Sequence, residues 1–207
     1  MAAILGGRRS TRVGWIAALC AFSVVAGVVP EAAGASARQH AAASAGPFAW
    51  LIAAPAPAGW KKLALSSGEA VMWYPPSMSA AKSDPGSVSA LGRNAKGVFL
   101  TYLNATPKQG NEGLGNFASF RLAHLRGEVA SSVTELAHAS NLKFRGGTGT
   151  CVIDVYVTRV GHNSFQEIAC FVKGKGAGTV IIAAGTPADW ATSGPLLERA
   201  VAAFQVR

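Results

Sequence analysis

The chain is 207 residues long, half of it apolar and only 14% charged, with 19 Lys and Arg against 10 Asp and Glu. It is too apolar and too weakly charged to be disordered throughout, and its 24 glycines follow no collagen triplet. Three cysteines without metal-ligand spacing exclude a disulfide-dense miniprotein and a cysteine zinc site.

Residues 1–37 read as a secretory signal peptide. Arg8, Arg9 and Arg12 form a positive n-region, Trp15 to Val29 is apolar, and Ala35-Ser36-Ala37 has the small-x-small pattern that a signal peptidase cleaves after. Cleavage near Ala37 makes the protein secreted or resident in the cell envelope. The competing reading keeps 13–30 as a membrane anchor. That segment sits at the lower limit for spanning ~30 Å of hydrocarbon and is weakened by Gly14, Gly27 and Pro30. Thr11 stands where a twin-arginine signal has an aromatic, and Leu19 before Cys20 is wrong for lipoprotein processing. Removing the leader leaves 16 basic and 9 acidic residues, a charge of about +7, and two cysteines instead of three.

Residues 38–58 are rich in Ala and Pro and read as an extended linker, although 48–52 (Phe-Ala-Trp-Leu-Ile) is apolar enough to be either a docked segment or an exposed patch. The domain then runs over 59–207. Segments 60–65 and 69–74 flank Ser66-Ser67-Gly68 as a β-hairpin, which Pro75-Pro76 stops, and 77–86 reads as loop. A second strand pair is expected at 88–93 and 98–104. Asn116 is a candidate N-cap for a helix over 117–126, with Phe117, Phe120 and His124 or Leu125 on one face. Residues 133–143 alternate weakly and are assigned as strand. The β-branched segments 150–160, 165–173 and 179–184, separated by Gly-rich turns, form a meander. Leu196, Leu197, Ala200, Val201 and Phe204 give the stretch 187–204 a helical apolar stripe. This order predicts an α+β fold, a single antiparallel sheet of about six or seven strands flanked by helices as an α/β/α sandwich.

The two remaining cysteines lie in consecutive predicted strands, in a compartment where disulfides persist. With the turn centred on Val160-Gly161, opposite residues have numbers that sum to 321, and Cys151 falls opposite Cys170. A Cys151–Cys170 bridge is expected, with Ile153 opposite Ile168 on the same apolar stripe. The same register sets Asp154 opposite Glu167, a repulsive pair unless something intervenes. Three solutions are open: a bulge that shifts the pairing, neutralisation by Lys143, Arg145 or Lys173, or a functional carboxylate dyad.

Catalytic signatures are scarce. There is no Gly-x-Ser-x-Gly elbow, no His-Glu-x-x-His and no His pair at helical spacing. Neither a metal nor a cofactor is expected. The Gly174–Gly178 run lies between strands, where a phosphate loop would feed a helix. The positive charge makes Lys61, Lys62, Arg121, Arg126, Lys143, Arg145, Lys173 and Lys175 candidate contacts for an anionic polymer or lipid. Nucleic acid is not an expected partner of an exported chain, and the membrane is one only if 13–30 is uncleaved.

The opening Gly59-Trp60, a strand ending in Tyr74-Pro75, and a closing helix ending Ala202-Ala203-Phe204 are shared features of a known superfamily. Over about 57–207 the chain resembles the PsbP-like superfamily, in particular the exported LpqN-type proteins of actinobacteria. Met78 stands where that family often has a Trp after the Tyr-Pro. The resemblance implies an antiparallel sheet between helices and a non-enzymatic binding or adaptor role, with no catalytic residue to carry over. The expected function is therefore an exported, non-catalytic binding or adaptor protein of the cell envelope that contacts a protein, lipid or anionic polymer. The alternative is a secreted hydrolase using Asp154 and Glu167.

Overall fold

The computed structural model describes residues 46–207. The predicted leader with its cleavage point, the apolar 13–30 segment and the first part of the linker, 38–45, lie outside the described residues.

Strands β1 (Lys61–Ala64) and β2 (Ala70–Tyr74) form the first hairpin, with Lys61 opposite Tyr74. Pro75, which has no amide hydrogen to donate, ends β2. The segment read as loop after it contains a strand, β3 (Met78–Ala81), paired with β4 (Val88–Arg93). Its Met-Ser-Ala-Ala sequence has little strand character of its own, and pairing at the sheet edge decides its conformation. Strand β5 (Phe99–Pro107) follows β4 as expected.

Helix α1 (Phe117–His124) stops short of the predicted 126 and passes into a π-turn, Leu125–Val129. Asn116 precedes the helix without capping it. Its Oδ1 accepts from the Gly113 amide at 2.7 Å, folding the entry loop instead. Phe117, Leu122 and Leu125 form the buried side, while His124 faces outward. Strand β6 (Ala130–Phe144) is longer than the 133–143 expected, and three register shifts against β7 (Gly147–Thr158) explain its weak alternation. Leu136 occupies one such shift and is turned to solvent. Strands β8 (Ser164–Lys173) and β9 (Thr179–Gly185) complete the meander. A short 3₁₀ turn, Pro187–Asp189, leads into helix α2 (Trp190–Ala203), and β10 (Gln205–Val206) follows it.

The strands divide into two antiparallel sheets, which corrects the expectation of one. Seven lie in the order β3-β4-β5-β9-β8-β7-β6, and three in the order β1-β2-β10. On one face of the large sheet, α1 covers a cluster of Phe117, Leu122, Val152, Ala169, Phe171 and Val180. The other face carries the main core, where Met72, Leu103, Ile168, Ile181, Leu197 and Phe204 meet under α2 and the small sheet. The apolar run at 48–52 is docked on this core: Phe48 and Leu51 are buried, and the Ala54 amide donates to the Ala202 carbonyl at 3.2 Å. Of the large side chains of that run only Ile52 is strongly exposed. Residues 46–54, read as linker, therefore pack against the domain. Among the described residues, no helix is long and apolar enough to cross a membrane.

Candidate functional site: a groove beside helix α1

The β7–β8 hairpin has the expected register throughout, with Cys151 opposite Cys170, Ile153 opposite Ile168 and Asp154 opposite Glu167. The cysteines are joined in a disulfide with both side chains fully buried. Because side chains alternate across a strand, Cys151 and Ile153 point into the main core. Val152, Asp154 and Tyr156 then share the opposite face, beneath α1.

Asp154 and Glu167 are 0% and 1% exposed, and no bulge separates them. Neutralisation comes from helix α1, not from the basic residues expected for it. Arg121 Nε donates to Glu167 Oε1 at 2.6 Å and its Nη2 donates to Oε2 at 2.8 Å, a two-pronged pair with matching planar geometry. Lys143 and Lys173 both stand opposite Thr148 in the register. That is six residues along the strands, about 20 Å from the carboxylates. Burial works against the Arg121 charge, but Glu167 beside it prevails and raises the guanidinium's pKa above its usual value.

Asp154 has no such partner. Neither of its carboxyl oxygens makes a hydrogen bond. Burial first, and the neighbouring Glu167 and Glu135 after it, push its pKa up to about 8, Arg121 offsetting only part. Asp154 therefore holds its proton to higher pH than an exposed carboxyl does, while the Glu167 carboxylate is matched by Arg121. Tyr156 on the same face is also pushed up, chiefly by burial. The pair is sealed: neither carboxylate lines any of the grooves described below.

Open grooves lie on both flanks of α1. Between α1 and strands β4–β5 runs a groove of about 620 Å³. Its floor is polar because this part of the sheet has no helix over it. Asn104 Nδ2 donates to Ser89 Oγ at 3.0 Å, Ser87 Oγ donates to Thr106 Oγ1 at 2.9 Å, and Tyr102 Oη lies 3.3 Å from Ser89 Oγ. Phe120, Arg121 and His124 form the helix wall. The far end is fixed by Glu112, a buried carboxylate that accepts the Gln109 and Gly110 amides at 2.7 and 2.8 Å. On the other flank, a cleft of about 460 Å³ is lined by Arg126, Glu135, His138 and Thr150. There His138 Nδ1 and Glu135 Oε1 are 2.5 Å apart.

The basic residues singled out from the sequence do not form one surface. Lys61 and Lys62 lie on the small sheet, where Lys62 Nζ stands 6.0 Å from the Trp73 ring centroid. Lys143, Arg145, Lys173 and Lys175 gather where β6 turns into β7 and β8 leads to β9, while Arg126 is at the other end in the π-turn. Arg121 is buried in its ion pair. The groove residues Ser87, Tyr102, Asn104 and Thr106 were missed, because their only sequence signal is polar residues recurring at every second position of a strand.

No family model matches the chain, and neither does any curated protein. Solved structures do. The cyanobacterial PsbP (CyanoP) of Synechocystis has a TM-score of 0.52 at 10% identity, over 72% of this chain and 92% of that one. LpqN of Mycobacterium tuberculosis, described as involved in cell envelope biogenesis, has a TM-score of 0.37 at 12% identity, over 73% of this chain and 80% of its own. The likeness to CyanoP shows a PsbP-like fold and nothing beyond the fold; that to LpqN is too slight to argue from.

Proposed function

We propose that this chain is an exported, non-catalytic binding protein of the cell envelope, and that its partner seats in the groove between α1 and β4–β5. The observation that carries this reading is the contrast between the two polar sites. The groove is open, with hydroxyl and amide groups held in place by one another, while Asp154 and Glu167 are shut away from any substrate. Arg121 is already matched by Glu167 and the other charged side chains of the lining are the carboxylates Asp84 and Glu112, so the groove offers no free cation and recognises its partner by hydrogen bonds and by the Phe120 ring. A protein segment, a lipid headgroup or an envelope polymer offers such groups. Export is supported by the n-region, apolar stretch and small-x-small site of residues 1–37, and by a disulfide that an oxidising compartment sustains.

The test is capture from an envelope lysate by the wild-type protein and by N104L/T106V, which blocks the groove floor at similar volume. Loss of the captured partner in the variant, with an unchanged melting curve, is the expected result. Equal capture by both proteins refutes the groove as the site. Turnover abolished by D154N/E167Q with folding intact would instead establish the hydrolase.

A further inference from the structure

Of the large apolar side chains that stand strongly exposed, Val98, Val129 and Val160 collect at one end of the seven-stranded sheet, at 55%, 38% and 87% exposure. The pairing places them there. Thr101 of β5 stands opposite Gly185 of β9, and Gly185 opposite Gln166 of β8. The β4–β5 and β7–β8 turns therefore project past the end of β9 side by side. The Phe99 and Phe165 rings meet edge to face at 5.5 Å across the gap that β9 leaves. The Arg159 amide donates to the Val129 carbonyl at 2.9 Å, which brings the π-turn to the same end.

Both tips are held in shape. Asn94 Oδ1 accepts the Lys96 and Val98 amides at 2.9 and 3.0 Å. In the other turn Thr158 Oγ1 donates to the Val160 carbonyl at 2.7 Å and accepts the Asn163 amide at 3.0 Å. A valine fixed outward by its own turn is not a side chain waiting to fold back. Around these valines stand the cations Arg93, Lys96, Arg126 and Arg159, all exposed, against the acids Glu128 and Asp189. Arg93 Nη1 donates to the Gly97 carbonyl of its own turn at 2.9 Å and Arg159 Nε to the Ala130 carbonyl at the start of β6 at 3.0 Å, and among the described residues neither is paired with a carboxylate.

We propose that this end of the sheet docks the protein on an anionic lipid surface, the valines entering the interface and the cations resting at headgroup level. The tips are convex and separate, a shape that a fluid interface accommodates and a preformed protein pocket does not. Their net positive rim complements anionic headgroups. This surface adjoins the groove beside α1 at Val129, which lines both, but it rests on the two turns and does not depend on what the groove binds.

The experiment uses the full chain as its host produces it, with vesicles of phosphatidylglycerol and of phosphatidylcholine. Hydrogen exchange reads the tips locally, whatever the N-terminal segment does. Amides at 94–99 and 158–164 are expected to slow with phosphatidylglycerol vesicles and not with phosphatidylcholine. The V98S/V160S variant, altered only at exposed positions, is expected to lose that protection and to partition roughly a hundredfold more weakly, since each of the two buried valines contributes about one order of magnitude. High salt is expected to weaken the protection by screening the rim. Unchanged exchange at both tips on phosphatidylglycerol overturns the proposal. So does protection that appears only with an envelope protein, or that survives V98S/V160S.

Discussion

Replacing Asp154 with Asn should flatten the fall of stability with pH. Asp154 is fully buried without a hydrogen bond, and its pKa is about 8 through burial and then Glu167. In the unfolded chain the same carboxyl ionises near ~3.9. Between these values the folded protein holds a proton that the unfolded chain has released. Its contribution to stability is therefore greatest at low pH and is lost as pH rises toward about 8. The steepest loss is about 1.4 kcal/mol per pH unit. From pH 6 to pH 8 the wild type should lose roughly 2–3 kcal/mol, or about 5–10 °C in Tm for a domain of this size. Glu198, raised by burial, adds slope in the same direction but does so equally in both proteins. Asn has no proton to lose and can donate to Glu167, so D154N should match the wild type near pH 5 and exceed it at pH 8. Thermal and urea melts of both proteins across that range measure the difference directly. A variant whose stability falls as steeply as the wild type's would show that the proton is not on Asp154.

Three further outcomes are expected. R121M strands Glu167 as an unpaired buried charge and should cost about 3–5 kcal/mol in urea unfolding, most of it recovered in R121M/E167M; equal losses in the single and double variants would mean that packing of the long side chain, not its charge, is at stake. C151A/C170A should cost ~3 kcal/mol, the loop-closure entropy of a bridge spanning a short hairpin, read as a lower urea midpoint. L51A should cost about 2 kcal/mol or more by the same measurement if the docked 46–54 segment is part of the core, and nothing if that segment only rests on it.

The register of the β7–β8 hairpin was legible in the sequence because it depends on a short turn and a local alternation. One sum, 321, set both the disulfide and the facing carboxylates. The resolution of that carboxylate pair was not legible. Arg121 is 46 residues away from Glu167 and reaches it only because α1 crosses the sheet above it. The basic residues nearest in sequence, Lys143, Arg145 and Lys173, lie too far along the strands. Strand β3 escaped notice because its residues have weak strand preference, and β10 because two residues carry no period at all. Bulges in β6 spoiled the alternation that would have identified it clearly. The groove was hidden for a related reason. Ser87, Tyr102, Asn104 and Thr106 look like the solvent face of any strand until α1 covers only half of the sheet and leaves a wall beside them.

The small sheet has a consequence for the order in which the chain can fold. Strand β2, residues 70–74, is flanked on one side by its hairpin partner β1 and on the other by Gln205–Val206. Some 130 residues separate the two edges that must meet, a closure whose entropy grows only slowly with length but which cannot begin until the last of them is present. A chain that emerges N-terminus first, from a ribosome or from a translocation channel, carries β2 with one edge unpaired until Gln205 and Val206 have emerged. The large-sheet meander, whose contacts are local, can form in the meantime. Final closure of the molecule is then a late, non-local event that is slow for topological reasons. Until it happens, an edge bearing Val71 and Trp73 is available to any other strand, including that of a second copy.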